Sequence, residues 1–167
     1  KRNWFWYIPL AADIVSIGLV GDNDELLRRN RHPEAVFGAE VTRCPGLQER
    51  LAGAELVGSL HVAKEFSYST SQAAGDGWVL VGDACGFIDP IYSTGVFLAL
   101  KSGEMAADAI RQALQGDDTS AAQLGQWVRQ YELGVSLFRK LVTAFYTKEF
   151  SFAQFVQAHP EHQDNLT

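Results

Sequence analysis

The stretch from Trp78 to Ile110, WVLVGDACGFIDPIYSTGVFLALKSGEMAADAI, constrains this chain more than any other. Its short apolar run, Trp78 to Val81, follows the turn signal Gly75-Asp76-Gly77 and predicts a buried strand. Gly82 and Asp83 come next, a glycine where the backbone must approach a neighbour and an acid at the strand's carboxyl end. A proline-containing loop then delivers Ser93, Thr94 and Gly95 to a helix start, where free N–H groups and the helix dipole favour negative charge. From about Thr94 to Leu114 the small or apolar positions Gly95, Leu98, Ala99, Ser102, Gly103, Ala106, Ala107 and Ile110 recur every three or four residues. Such a helix can approach its neighbours closely. A site built this way holds a polyol or ribose through Asp83 and an anion or anionic ring through the amides of Thr94 and Gly95. Taken alone, Gly-Asp at a strand end is equally an ordinary turn with a solvated Asp83.

Upstream, Trp4-Phe-Trp-Tyr-Ile-Pro9 alternates across a strand, with Trp4, Trp6 and Ile8 on one face and Phe5 and Tyr7 on the other. A β-branched run from Ile14 to Val20 can pair with it as a hairpin. Asp22 and Glu25 are spaced as a capping box for a short helix to Arg31. Pro33 opens a second helix carrying Val36, Phe37 and Val41, and Pro45 stops it. Leu56 to Phe66 alternates again and predicts a strand. Beyond the break at Gly116-Asp-Asp118, an amphipathic helix in one or two pieces runs from about Thr119 to Tyr146, with Trp127, Tyr131, Leu137, Leu141 and Phe145 as its apolar stripe. Phe150, Phe152, Phe155 and Val156 make the tail too apolar to be a solvated one.

Composition narrows the function classes. A net charge of −6 and 20% charged residues leave no clustered Lys and Arg for a nucleic-acid surface. No apolar run reaches the roughly 20 residues that span a bilayer, and Lys1-Arg2 leads into tryptophans rather than a signal-peptide core. The expectation is a soluble, cytoplasmic protein. Cys44 and Cys85 lack metal or disulfide spacing, and Cys85 reads as a buried packing residue. His61 reads as a surface or satisfied histidine and Lys101 as a surface residue, the His159-Pro-Glu-His162 tail as a poor metal site, and Asp89 as hydrogen-bonding within its loop and capping the following helix. No metal is expected.

The Trp78–Ile110 stretch resembles the second flavin-binding motif of FAD-dependent monooxygenases, halogenases and geranylgeranyl reductases. Gly82, Asp83 and Ala84 match that motif's GDA, and Pro90 and Gly95 match its loop and helix start. The pattern Phe87-x-x-Pro90-x-x-Ser93-x-Gly95 is similar to the FxxPxxSxG of flavin-dependent halogenases. Trp4-Phe-Trp6-Tyr-Ile8-Pro9 fits WxWxIP, the other pattern associated with them. Two patterns of different chemistry, in the family's order, are much harder to reach by chance than either alone. The similarity runs from residue 3 to about 112 and more weakly through the helical tail.

The resemblance implies an α/β fold, α+β when these residues are taken by themselves: the carboxyl-terminal part of a Rossmann-like FAD domain with part of a β-sheet substrate domain. Residues 1–66 would end the substrate-domain sheet, 67–115 would hold the closing strand, flavin and halide loop and helix, and 116–167 would form a helical tail. It implies a halogenase that uses reduced FAD, oxygen and chloride or bromide on an electron-rich substrate, either small or tethered to a carrier protein, with a flavin reductase supplying FADH2. Gly82, Asp83, Ala84, Pro90, Ser93, Thr94 and Gly95 would contact the flavin, Thr94 and Gly95 the halide, and Trp4 and Trp6 would keep substrate away from the flavin. A flavin monooxygenase, a geranylgeranyl-reductase-like enzyme or a non-catalytic binding domain on the same fold are the alternatives. Two departures bear on this. No GxGxxG follows a strand, so tight FAD binding by these residues alone is not expected. The lysine that halogenases use to direct hypohalous acid has no match, and Lys64, Lys101, Lys140 and Lys148 lie outside any motif.

Overall fold

A computed structural model of the chain describes residues 3–22, 26, 32–64, 66–147 and 151–161. The chain divides into two compact units, Lys1–Lys64 and Glu65–Thr167. The expected helix from Asp22 to Arg31 falls largely outside the described residues, as do Lys148, Phe150 and His162.

In the first unit, β1 (Trp4–Pro9) pairs antiparallel with β2 (Val15–Val20), in a register that sets Trp6 opposite Gly18 and Pro9 opposite Val15. The hairpin turn places Ala12 and Asp13 at positive φ, and Leu10 N–H donates to Ile14 O at 2.8 Å. Pro9 ends β1, where its missing donor costs no ladder bond. Helices α1 (Pro33–Thr42) and α2 (Pro45–Arg50) each carry proline in the first turn, where a missing N–H has no intrahelical partner to lose. The period-2 alternation is realised in packing. The Phe5 ring meets Phe37 of α1 edge-on at 5.9 Å, and the Arg50 guanidinium of α2 lies 5.5 Å from the Tyr7 ring centre. The Trp4 and Trp6 rings share the other face at 6.3 Å. The strand expected over Leu56 to Phe66 does not form among the described residues. Leu56 and Val57 stand 72% and 78% exposed, and Gly58 turns the chain at φ +88°. Alternation alone gives no strand without a partner edge to satisfy its amides.

In the second unit, β3 (Tyr68–Ser69) pairs antiparallel with β6 (Gly86–Phe87), and β4 (Ala74–Gly75) with β5 (Trp78–Val79). The expected buried strand Trp78 to Val81 is thus cut to two residues, and Trp78 is 42% exposed. Asp76 and Gly77 turn the β4–β5 hairpin. The Asp76 carboxylate accepts from Ala121 N–H at 2.7 Å, and Gly77 N–H donates to Thr119 O at 2.9 Å. Helix α3 (Gly95–Gln115) matches the expected Thr94 to Leu114 closely, and its small residues Ser102, Ala106, Ala109 and Ala113 are buried. After Gly116, α4 (Ala121–Leu124) and α5 (Val128–Thr147) form the expected helix in two pieces, and α6 (Phe152–Ala158) continues the tail. The core joins Ala106 and Ala109 of α3 to Trp127, Tyr131, Ala73 and Cys85. Small residues on α3 let the large Trp127 and Tyr131 rings, 5.5 Å apart, fill the space. The apolar stripe expected on α5 is buried only at this start, because Leu137 remains 62% exposed. Among the described residues, no helix is long and apolar enough to cross a membrane.

Candidate functional site

The signature segment folds as two tight turns. Gly82–Ala84 forms a 3-10 turn rather than a strand end, β6 follows, and Pro90–Tyr92 forms a second 3-10 turn before α3. Gly82 sits at φ +56°, a left-handed conformation suited to glycine, and a Cβ there would stand 3.3 Å from the Ala99 Cβ. Its N–H donates to Ser102 Oγ at 2.9 Å, and that hydroxyl donates to Ala99 O at 2.9 Å. Ser102 is fully buried, so one side chain clamps the turn to α3. On the opposite flank Tyr68 Oη donates to Asp83 O at 2.6 Å, Thr70 Oγ1 donates to Cys85 O at 3.0 Å, and Ser67 Oγ donates to Ile88 O.

These constraints close a small cavity whose walls include Gly82, Asp83, Phe87, Asp89, Thr94 and Gly95. The two halves of the sequence motif therefore meet. Gly95 opens α3 beneath the Phe87 ring, where a Cβ would stand 3.3 Å from Cε2. Thr94 is the N-cap residue of this 21-residue helix, and its side chain makes no capping hydrogen bond among the described residues. The first amides of a helix have no intrahelical acceptors, so they remain available as donors beside the cavity. The Asp83 side chain is exposed and makes no hydrogen bond or ion pair among the described residues. Pro90 starts the second turn and Ser93 ends it at φ +52°. Ala84 is exposed at the end of the first. Trp4 and Trp6 belong to the other unit, where Trp6 Nε1 donates to Ser16 Oγ at 3.2 Å.

Asp89 caps the second turn within the loop rather than the following helix α3, accepting from Ile91 N–H at 2.8 Å, and it is buried. Cys85 is buried, and desolvation pushes its thiol above the usual range. Burial likewise raises the Tyr131 phenol, with Cys85 adding to the shift. His61 is exposed, Lys101 pairs with Glu104 at 2.7 Å on the surface of α3, and His159 lies 3.3 Å from Glu161. A second, open groove of about 780 Å³ shares Gly86, Phe87, Ile88 and Leu98 with the first cavity and extends to Arg139 and Lys140 on α5. Sequence reasoning missed Tyr68 and the clamp role of Ser102. A serine inside a stripe of small helical residues was the available signal for the second; nothing marked the first.

Residues 1–155 match the family model described as Tryptophan halogenase. The chain is 38% identical over 119 residues, 71% of its length, to the 1H-pyrrole-2-carbonyl-[peptidyl-carrier protein] brominase of Pseudoalteromonas luteoviolacea. It is 30% identical over 156 residues, 93% of its length, to the corresponding chlorinase of Pseudomonas fluorescens. Among solved structures, the flavin-dependent brominase Bmp2 superposes on 98% of the chain with a TM-score of 0.82 at 30% identity, using 41% of its own chain. The chain spans 29% and 35% of the lengths of the two curated relatives.

Proposed function

The chain belongs to the tryptophan halogenase family, and from that premise we propose that it carries the flavin- and halide-handling segment of an FAD-dependent halogenase. One observation carries the reading: Asp83, Thr94 and Gly95 line a single glycine-walled cavity at an uncapped helix start. The residues fit a flavin. Glycines at 82 and 95 stand where a side chain would press on Ala99 and Phe87, so the backbone there stays open to a ligand. Asp83 offers an exposed carboxylate to the hydroxyls of a ribityl chain, and the turn Gly82–Ala84 sets its direction.

Bound and reduced, FAD would supply two of the four electrons that reduce oxygen, the halide giving up the other two as it becomes hypohalous acid and water is released. The protein's part is to place and protect. Thr94 and Gly95 N–H groups donate to a chloride or bromide ion, which the α3 dipole favours there. Pro90 and Ser93 shape the loop that presents them. Trp4 and Trp6, large and apolar, hold the organic substrate away from the flavin. The substrate is an electron-rich ring; the activities of the two relatives favour one carried on a peptidyl-carrier protein. A flavin reductase supplies the reduced cofactor. The test is incubation of the full-length protein with reduced FAD, oxygen, bromide and a pyrrolyl carrier-protein thioester, read by mass spectrometry. Brominated product is expected. Hydroxylated product without bromination would refute the reading.

A further inference from the structure

We propose that Tyr146, near the end of α5, is a positioning residue for the anion-binding loop and acts through the buried carboxylate of Asp89. The Tyr146 hydroxyl lies 3.2 Å and 3.3 Å from the two Asp89 oxygens, across 57 residues of sequence. Asp89 is 7% exposed, and its Oδ1 also accepts from Ile91 N–H at 2.8 Å. A buried carboxylate is held in place by the donors it finds, and here one comes from the loop and one from α5.

What Asp89 fixes is the approach to Thr94 and Gly95. It caps the turn Pro90–Tyr92, and the turn ends at Ser93, a non-glycine residue at φ +52°. A left-handed serine persists only where its surroundings hold it. A second tether comes from the same helix: Tyr92 Oη donates to Leu141 O at 3.4 Å, and the Tyr92 and Phe145 rings meet edge-on at 6.4 Å. The loop is therefore clamped by α5 on one side and continuous with α3 on the other. If Tyr146 loses its hydroxyl, Asp89 loses a donor and the amides at Thr94 and Gly95 lose their setting. A displacement of about 1 Å at such a site is costly in rate or affinity.

This inference rests on the halide role given to Thr94 and Gly95, so its test reads halide binding without turnover. The full-length protein loaded with oxidised FAD is titrated with bromide, and the visible flavin spectrum reports occupancy. Tyr146→Phe keeps the ring and removes only the hydroxyl; Asp89→Asn keeps the shape and removes the charge. Each is expected to weaken bromide binding about tenfold, and the double variant to be no worse than the weaker single, as residues acting in one chain should be. In turnover, Tyr146→Phe should raise KM for bromide while kcat at saturating bromide stays within about twofold. Bromide affinity unchanged in Tyr146→Phe, additive losses in the double variant, or a wild-type flavin spectrum that ignores bromide would each overturn the inference. If bromide binding weakens as expected but the wild-type protein makes no halogenated product, the proposed function falls and the positioning role stands.

Discussion

The indole of Trp6 lies directly over Gly18, its cross-strand partner: a Cβ at position 18 would stand 1.9 Å from Trp6 Cζ2. Gly18 is absent of side chain because the ring occupies that space. Gly18→Ala should therefore expel Trp6 from its seat and break the Trp6 Nε1 to Ser16 Oγ bond. A loss of about 1–3 kcal/mol is expected. It would be read as a lower denaturation midpoint with a red-shifted tryptophan emission; an unchanged midpoint and spectrum would contradict the packing described.

Trp4 and Trp6 can also be tested for the role proposed for them. Replacing both with leucine in the full-length protein should cost halogenated product and raise direct oxidation of the substrate, both read by mass spectrometry. Unchanged product ratios would remove the two tryptophans from the account.

Ser102 is fully buried and receives the Gly82 N–H. Ser102→Ala leaves that donor without its acceptor, at a cost of about 1–3 kcal/mol. Gly82→Ala forces a side chain into φ +56° and adds about 1–2 kcal/mol of strain. Both variants should weaken FAD binding more than they lower the unfolding midpoint of the whole protein, as measured by flavin fluorescence titration and by urea denaturation.

Burial raises the Cys85 thiol, so at neutral pH less of it is thiolate, the form that reacts. Alkylation of Cys85 by iodoacetamide should be slow in the native protein and speed up only as pH rises above the usual thiol range. Unfolding in guanidinium should abolish the protection. Mass mapping of the labelled peptide checks this, and rapid native labelling at neutral pH would contradict the buried placement.

Local rules made much of this legible. Alternation placed Trp4 and Trp6 opposite Phe5 and Tyr7, Pro33 marked the start of α1, and Pro45, read only as the stop of that helix, also opens α2. The small-residue period fixed α3 nearly to the residue. The segment from Leu56 to Phe66 alternates equally well yet forms no strand among the described residues, because a strand needs a neighbouring edge that the pattern does not supply. At the site, the motif named Gly82, Asp83, Phe87, Thr94 and Gly95, which line the cavity, and also Ala84, Pro90 and Ser93, which are not among its walls. It could not name Tyr146 or Tyr68, whose hydroxyls reach the motif across 57 and 15 residues. Contacts of that kind are set by tertiary packing and leave no periodic trace.

The central claim is that Thr94 and Gly95 hold a halide at the start of α3. Anomalous diffraction at the bromine edge, from crystals of the full-length, FAD-loaded protein soaked in bromide, tests it most directly. The account predicts an anomalous peak within hydrogen-bonding distance of the Thr94 and Gly95 amides. Bromide peaks confined to other positions would contradict it.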